Sequence, residues 1–78
     1  MYRVLLVDDD AHIIHTNRAY LEQCGYQVID AADGAQALSI ASTAALDAIV
    51  LDVELPGLDG VEVCRRIREV SGVPILFL

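Results

Sequence analysis

Acidic side chains follow two short apolar segments of this chain, and they are the residues best suited to chemistry. Asp8 and Asp9 follow "RVLLV", and Asp52 follows "AIVL". If these segments are neighbouring strands of a parallel sheet, their carboxyl ends meet at one edge and the three carboxylates converge. Crowded carboxylates raise one another's pKa unless a cation intervenes, and a hard divalent ion such as Mg²⁺ prefers oxygen ligands. The pattern indicates metal-assisted phosphate chemistry, with Asp52 as ligand, nucleophile or both.

The elements that must position these acids alternate along the chain. Four apolar runs have the length of strands: 2–7, 26–30, 48–51 and 73–78. Three segments have the length of helices: 11–24, 34–44 and 60–70. Strands that alternate with helices predict an α/β fold, in which right-handed crossovers place helices on both faces of a parallel sheet. Polar and apolar residues alternate in the second run, which predicts an outer strand.

Residues with strong capping preferences mark the helix ends. Asp10 or Asp9 is expected to cap the first helix, Asp33 the second and Asp59 the third, while Gly25 suits the end of the first.

The buried side of the second helix is predicted to carry Ala37, Leu38, Ile40 and Ala41. The buried side of the third is predicted to carry Val61, Val63, Cys64 and Ile67.

Composition limits the class of partner. Twelve acidic residues against five basic ones give a formal charge of -7, which disfavours binding to nucleic acid or to an anionic membrane and favours metal cations or a basic partner. The apolar run after Met1 is too short for a signal peptide, and no stretch could span a bilayer, so we expect a cytoplasmic protein. Cys24 and Cys64 lie far apart in helical patterns, which predicts reduced packing cysteines.

Other polar residues have ordinary structural explanations. His12 and His15 lie close to the acids, but exposed helix histidines are far commoner than metal or phosphohistidine sites. Asp30 and Asp47 are expected at the surface. The third helix carries bases that can pair with acids at helical spacing: Arg65, Arg66 and Arg68 with Glu62 and Glu69.

Four longer motifs extend the pattern over the whole chain: "RVLLVDDD", "GYQVIDAADGAQAL", "DAIVLDVELPGLDGVEVCRRIR" and "VPILFL". In the third, an acid at a strand end is followed by LPG and DG at a spacing that chance rarely produces. With these motifs the chain resembles the receiver domain of two-component response regulators. The resemblance implies a flavodoxin-like, doubly wound parallel sheet of order 2-1-3-4-(5), of which the chain holds four strands and three helices.

The resemblance also implies roles for single residues. Asp52 stands at the phosphoacceptor position, Asp9 at that of a direct Mg²⁺ ligand, and Asp8 at that of an acid that often holds the metal through water. The backbone carbonyl of Glu54 would complete the metal site. The loop that shapes the pocket floor would include Pro56, Gly57 and Gly60.

The partners that the resemblance implies are signalling proteins. The phosphodonor would be a sensor histidine kinase, a phosphotransfer protein or a small molecule. Phosphorylation would switch a downstream effector, by weak analogy a winged-helix transcription regulator, and a homodimer is left open. The receiver would catalyse only its own phosphorylation and dephosphorylation. As a further hypothesis, the charge of Glu54 at the pocket rim would slow attack on the aspartyl phosphate.

Two family residues have no counterpart in residues 1–78. One is a Ser or Thr just after the fourth strand, and the other is a lysine that ends a fifth strand; all five bases here are arginine. The chain also stops within an apolar strand. We therefore expect residues 1–78 to be a receiver domain truncated after the fourth strand, with the Ser or Thr soon after Leu78.

Two other functions use similar residues. A phosphatase of the haloacid dehalogenase type also combines a strand-end aspartate with Mg²⁺. That class carries a second aspartate two residues after the first, where this chain has Glu54. The phosphatase hypothesis also leaves Asp8 and Asp9 unexplained. A pseudo-receiver that acts only by binding partners is disfavoured because all three acidic positions are filled.

Overall fold

Strands and helices alternate as predicted along the parts of the chain that the computed structural model describes, residues 2–52, 54–55 and 59–77. The strands are β1 (Arg3–Val7), β2 (Gln27–Ala31), β3 (Ala48–Leu51) and β4 (Ile75–Phe77). The helices are α1 (Ala11–Gln23), α2 (Gly34–Thr43) and α3 (Gly60–Arg68). The last strand begins at Ile75, two residues later than the predicted run 73–78. No helix in these ranges has the length and apolarity needed to cross a bilayer.

The four strands form one parallel sheet of order β2-β1-β3-β4. The predicted flavodoxin-like order is confirmed, with β2 as an outer strand. Val7, the last residue of β1, lies opposite Ala31 of β2 and Leu51 of β3. The three strands thus end at the same level, and the residues that follow them share one edge of the sheet.

Helices pack on both faces of the sheet, and successive side chains of β1 point to opposite faces. Leu5 and Val7 of β1 belong to a core that also holds buried residues of α2 and α3. Val4 and Leu6 belong to a second core, against which Ile14 of α1 packs. An apolar strand without polar alternation therefore has both of its faces buried.

Aspartate caps begin all three helices, as the sequence predicted. The Asp10 carboxylate accepts hydrogen bonds from the amides of His12 (2.9 Å) and Ile13 (3.4 Å), so Asp10 and not Asp9 caps α1. Asp33 and Asp59 likewise cap α2 and α3. The Gln36 amide donates to the Asp33 carboxylate (2.8 Å), and the Glu62 amide donates to the Asp59 carboxylate (2.9 Å).

The end of α1 also follows the predicted signal. Gly25 comes directly after the C-terminal cap Cys24 and has φ of +93°. A residue with a Cβ is strained in this left-handed region, which explains a glycine at the point where the chain turns towards β2.

One residue of α3 lies on the face opposite to the predicted one. Val61 is 64% exposed, whereas Val63 and Ile67 are fully buried. Residues four apart share a helix face, so Val63 and Ile67 define the buried stripe. Val61, two residues before Val63, points to the opposite side of the helix.

The apolar residues of α1 are divided in the same way. Ile14 and Leu21, seven residues apart, pack against the sheet, while Ile13 and Tyr20 are 43% and 67% exposed. Cys24 is exposed as well, so its predicted packing role is wrong. Cys64 does pack against the core, and both thiols are free.

Arginines on the surface of α3 pair mainly with acids of the same helix. The ion pairs are Arg65–Glu62 (2.6 Å), Arg65–Glu69 (3.2 Å) and Arg66–Glu62 (3.2 Å). Hydrogen bonds from Arg65 and Arg66 lower the pKa of Glu62 to about 2. Arg68 differs from the prediction, because it donates to the backbone carbonyls of Ser71 and Val73.

Candidate metal centre

Three carboxylates meet at the carboxyl edge of the sheet. Asp8 continues β1 and Asp52 continues β3, and these strands pair with Val7 opposite Leu51. One carboxylate oxygen from each of Asp8, Asp9 and Asp52 lies within 4.8 Å of the others. The convergence expected from the sequence is therefore present, because β1 and β3 are direct neighbours.

Backbone hydrogen bonds extend the sheet to the first acid of each strand end. The Asp8 amide donates to the carbonyl of Ala31 (3.1 Å), and the Asp52 amide donates to the carbonyl of Val7 (3.0 Å). Both residues therefore have their backbones held by the sheet, and not by a loose connection. The sheet thus fixes the position from which each side chain starts, as a preorganised metal site requires.

The three acids differ in burial. Asp8 is 6% exposed, Asp52 is half-buried and Asp9 is exposed. Burial raises the pKa of the Asp8 carboxyl above its usual value, and the charges of Asp52, Asp9 and Asp10 raise it further, while a hydrogen bond from the Asp10 amide opposes them. The site thus contains a buried acid that a nearby cation would stabilise in its charged form.

Two tight turns orient the carboxylates that follow the strands. The Asp10 amide donates to Oδ1 of Asp8 (2.9 Å), and the Glu54 amide donates to Oδ1 of Asp52 (3.0 Å). In each case a side chain accepts from the amide two residues later, which is an Asx turn. Each turn engages one oxygen of its carboxylate and leaves the other available to a ligand.

The donor set fits a small, hard cation. Mg²⁺ binds oxygen at about 2.0–2.1 Å, so two direct ligands are at most about 4.2 Å apart across the ion. The oxygens of Asp8, Asp9 and Asp52 lie within 4.8 Å, which small rotations or one intervening water would accommodate. Carboxylate oxygens are also the ligand type that Mg²⁺ prefers.

The remaining residues predicted for the site divide into three groups. Glu54 is exposed and contacts Asp52 through its amide, while the role predicted for its carbonyl stays a prediction. Gly60 is buried and is the first residue of α3. Pro56 and Gly57 lie outside the described residues.

A cavity of about 370 Å³ next to the acids was not predicted. Asp8, Asp9 and His15 line it, together with Arg18 of α1 and Asp30 of β2, which form an ion pair. No local pattern joins Arg18 to Asp30, since they belong to different elements. Asp30 is exposed, as predicted. Within the described part of the chain, no histidine belongs to a group of three side chains placed to hold a metal ion.

Comparisons with known proteins agree with this geometry. A sequence model of the family described as "Response regulator receiver domain" matches residues 4–78. The chain is 48% identical over 77 residues to the alkaline phosphatase synthesis transcriptional regulatory protein PhoP of Bacillus subtilis (strain 168), covering 97% of this chain and 32% of PhoP. The chain spans about a third of the length of the curated relatives it matches.

Solved structures show the same fold. A CheY-like receiver domain protein from Methanospirillum hungatei JF-1 has a TM-score of 0.96 at 27% identity, with 99% of this chain and 62% of that chain covered. A chain in the crystal structure of histidine kinase ThkA with response regulator protein TrrA has a TM-score of 0.92 at 33% identity, with coverages of 99% and 67%. With a family match over residues 4–78 and this sheet order, the chain belongs to the response regulator receiver domains.

Proposed function

We propose that this receiver domain accepts a phosphoryl group on Asp52 and that Asp8, Asp9, Asp52 and the Glu54 carbonyl hold the Mg²⁺ ion that the reaction needs. The observation that carries the proposal is the convergence of the three carboxylates within 4.8 Å at the ends of β1 and β3. Metal held at this point would lie beside the acceptor, so the binding site and the reacting group form one pocket.

The chemistry assigned to Asp52 is nucleophilic attack on phosphorus. A carboxylate oxygen forms the new O–P bond, and the bond from phosphorus to the donor's imidazole nitrogen breaks as that nitrogen leaves. The amide of Glu54 holds Oδ1 of Asp52 at 3.0 Å, which restricts rotation of the carboxylate and favours attack by the other oxygen. When bound, Mg²⁺ offsets the charge that builds up between carboxylates and phosphoryl oxygens.

The proposed donor is a phosphohistidine on a sensor histidine kinase or a phosphotransfer protein. Support comes from the similarity to a chain in the complex of histidine kinase ThkA with response regulator TrrA. The proposed recipient of the signal is an effector that regulates transcription, since several relatives are named as transcriptional regulatory proteins. We propose the cytoplasm as the compartment in which donor and effector meet the domain.

The test is a phosphorylation assay on the full-length protein that carries this sequence. Incubation with an acyl phosphate donor and Mg²⁺ should add one base-labile phosphoryl group, which mass spectrometry of borohydride-reduced peptides would locate at Asp52. Asp52→Asn should abolish the label. Asp59→Asn is the matched control, because it removes the same charge nearby and asparagine still caps α3, so labelling should persist.

Two results would contradict the proposal. A label that persists in Asp52→Asn would place the acceptor elsewhere. A wild-type protein that binds Mg²⁺ but takes no label from any phosphodonor would instead behave as a receiver that acts only by binding partners.

A further inference from the structure

Asp10 connects the candidate metal centre to the start of α1. Its amide donates to Oδ1 of Asp8 at 2.9 Å. Its carboxylate accepts from the amides of His12 at 2.9 Å and Ile13 at 3.4 Å, and its carbonyl accepts from the amide of Ile14 at 3.1 Å. One residue thus holds both a site carboxylate and the first turn of a helix.

We propose that Asp10 is a positioning residue for the metal centre: by capping α1, its carboxylate keeps its own amide in place against Asp8. The proposal rests on the Mg²⁺ site proposed above. Asp10 itself is not among the three acids whose oxygens converge, which are Asp8, Asp9 and Asp52.

Geometry explains why the cap matters to the acids. Only Asp8, Asp9 and Asp10 connect β1 to α1. The Asp8 amide is bound to the carbonyl of Ala31, which fixes the sheet end of this connection, and the cap fixes its helix end. Asp9 lies between these two fixed points. The direction of its side chain, like the rotamer of Asp8, therefore depends on both the sheet end and the helix end of the connection.

A purely electrostatic role for Asp10 makes a different prediction. A negative charge near the site would attract Mg²⁺ whatever its hydrogen bonds, and that attraction would be lost with the charge. Asparagine caps a helix about as well as aspartate but carries no charge. Asp10→Asn and Asp10→Ala therefore separate the cap from the charge.

The experiment is a Mg²⁺ titration of the full-length protein by amide NMR. We expect Asp10→Ala to raise the Kd for Mg²⁺ about threefold to tenfold. The effect should be smaller than that of removing a group that hydrogen-bonds a metal ligand directly, because the variant keeps the residue 10 amide that bonds Asp8. Asp10→Asn should stay within about twofold of wild type, since its cap is intact. Asp9→Asn should bind far more weakly than either.

Asp33→Ala is the control for general destabilisation. It removes the equivalent cap of α2, whose carboxylate accepts from the Gln36 amide and, among the described hydrogen bonds, is not linked to the site acids. It should lower the unfolding midpoint much as Asp10→Ala does while leaving the Kd unchanged. The amide resonance of residue 10 is a second readout. A hydrogen bond to a carboxylate shifts it downfield, and this shift should shrink in Asp10→Ala alone.

The outcomes separate this inference from the function on which it rests. Wild-type affinity in Asp10→Ala would overturn the positioning role and leave the metal site standing. Equal losses in Asp10→Asn and Asp10→Ala would overturn it in favour of charge, and an equal loss in Asp33→Ala would overturn it in favour of overall stability. A wild-type protein that binds no Mg²⁺ would overturn both.

Discussion

Asp8 is a buried acid in a pocket that contains two more acids. The residue is 6% exposed, and burial, together with the charges of Asp52 and Asp9, raises its pKa. A raised pKa means that the folded protein holds this proton more tightly than the unfolded chain does. Between the unfolded and the folded pKa, stability therefore falls as pH rises, and above the folded pKa the full penalty remains.

This penalty predicts that Asp8→Asn stabilises the metal-free protein. At pH 7 in EDTA the variant should unfold a few degrees above wild type, because asparagine can accept the same hydrogen bond without a buried charge. The difference should shrink as the pH falls through the raised pKa of Asp8 and should vanish once that carboxyl is protonated in both states. Thermal unfolding monitored by circular dichroism at several pH values measures it.

Asp59→Asn is the control for this stability test, because it removes an exposed charge and retains a cap. It should give no comparable gain. A less stable Asp8→Asn at every pH would show that the Asp8 charge is better compensated in the folded state than its burial implies.

At the scale of the element, α3 shows how two residues can decide a packing face. Val63 and Ile67 are fully buried against the core, whereas Val61 is 64% exposed. The ion pairs of Arg65 with Glu62 and Glu69 occupy exposed parts of the same helix, where solvent and salt screen them. The stability that α3 contributes should therefore come mainly from its apolar stripe.

Two truncations on α3 test this division. Ile67→Ala should lower the free energy of unfolding by about 2–5 kcal/mol, because it removes a fully buried side chain and leaves a cavity. Val61→Ala should change it by no more than about 0.5 kcal/mol, as is usual for exposed positions. Urea denaturation of the full-length protein measures both. Similar losses in the two variants would mean that Val61 is covered in the whole protein.

At the scale of the molecule, the net negative charge and the three converging carboxylates mean that a bound cation should stabilise the fold. The chain carries a formal charge of -7, and three of its acids converge at one point. An ion that binds the folded state and not the unfolded chain stabilises the fold by mass action. Bound Mg²⁺ would also offset the repulsion among Asp8, Asp9 and Asp52.

We therefore predict that Mg²⁺ raises the unfolding midpoint of the wild-type domain. At a Mg²⁺ concentration about a hundredfold above its Kd, the gain should approach about 2.7 kcal/mol. The increase should continue with the logarithm of concentration and should be much smaller in Asp9→Asn. NaCl at matched ionic strength is the control, because screening alone should not reproduce the effect. An equal rise with NaCl would exclude a specific site as its cause.

Much of the fold and the candidate site followed from short sequence patterns. The aspartate caps and Gly25 were predictable because these preferences depend on contacts within about four residues. The strands were predictable because a strand buried on both faces is a continuous apolar run. The acids at strand ends, with the LPG and DG motif, also pointed to one pocket. The strand order was expected from family resemblance and is confirmed in the sheet.

Only the tertiary structure decided how the predicted residues are surrounded. It made Asp8 buried and left Asp9 exposed, placed Val61 outside the core, and paired Arg18 of α1 with Asp30 of β2. These features depend on which distant segments pack together and on the exact rotation of each helix against the sheet. Periodicity determines that a helix has a buried stripe, but packing against the sheet selects which residues form it.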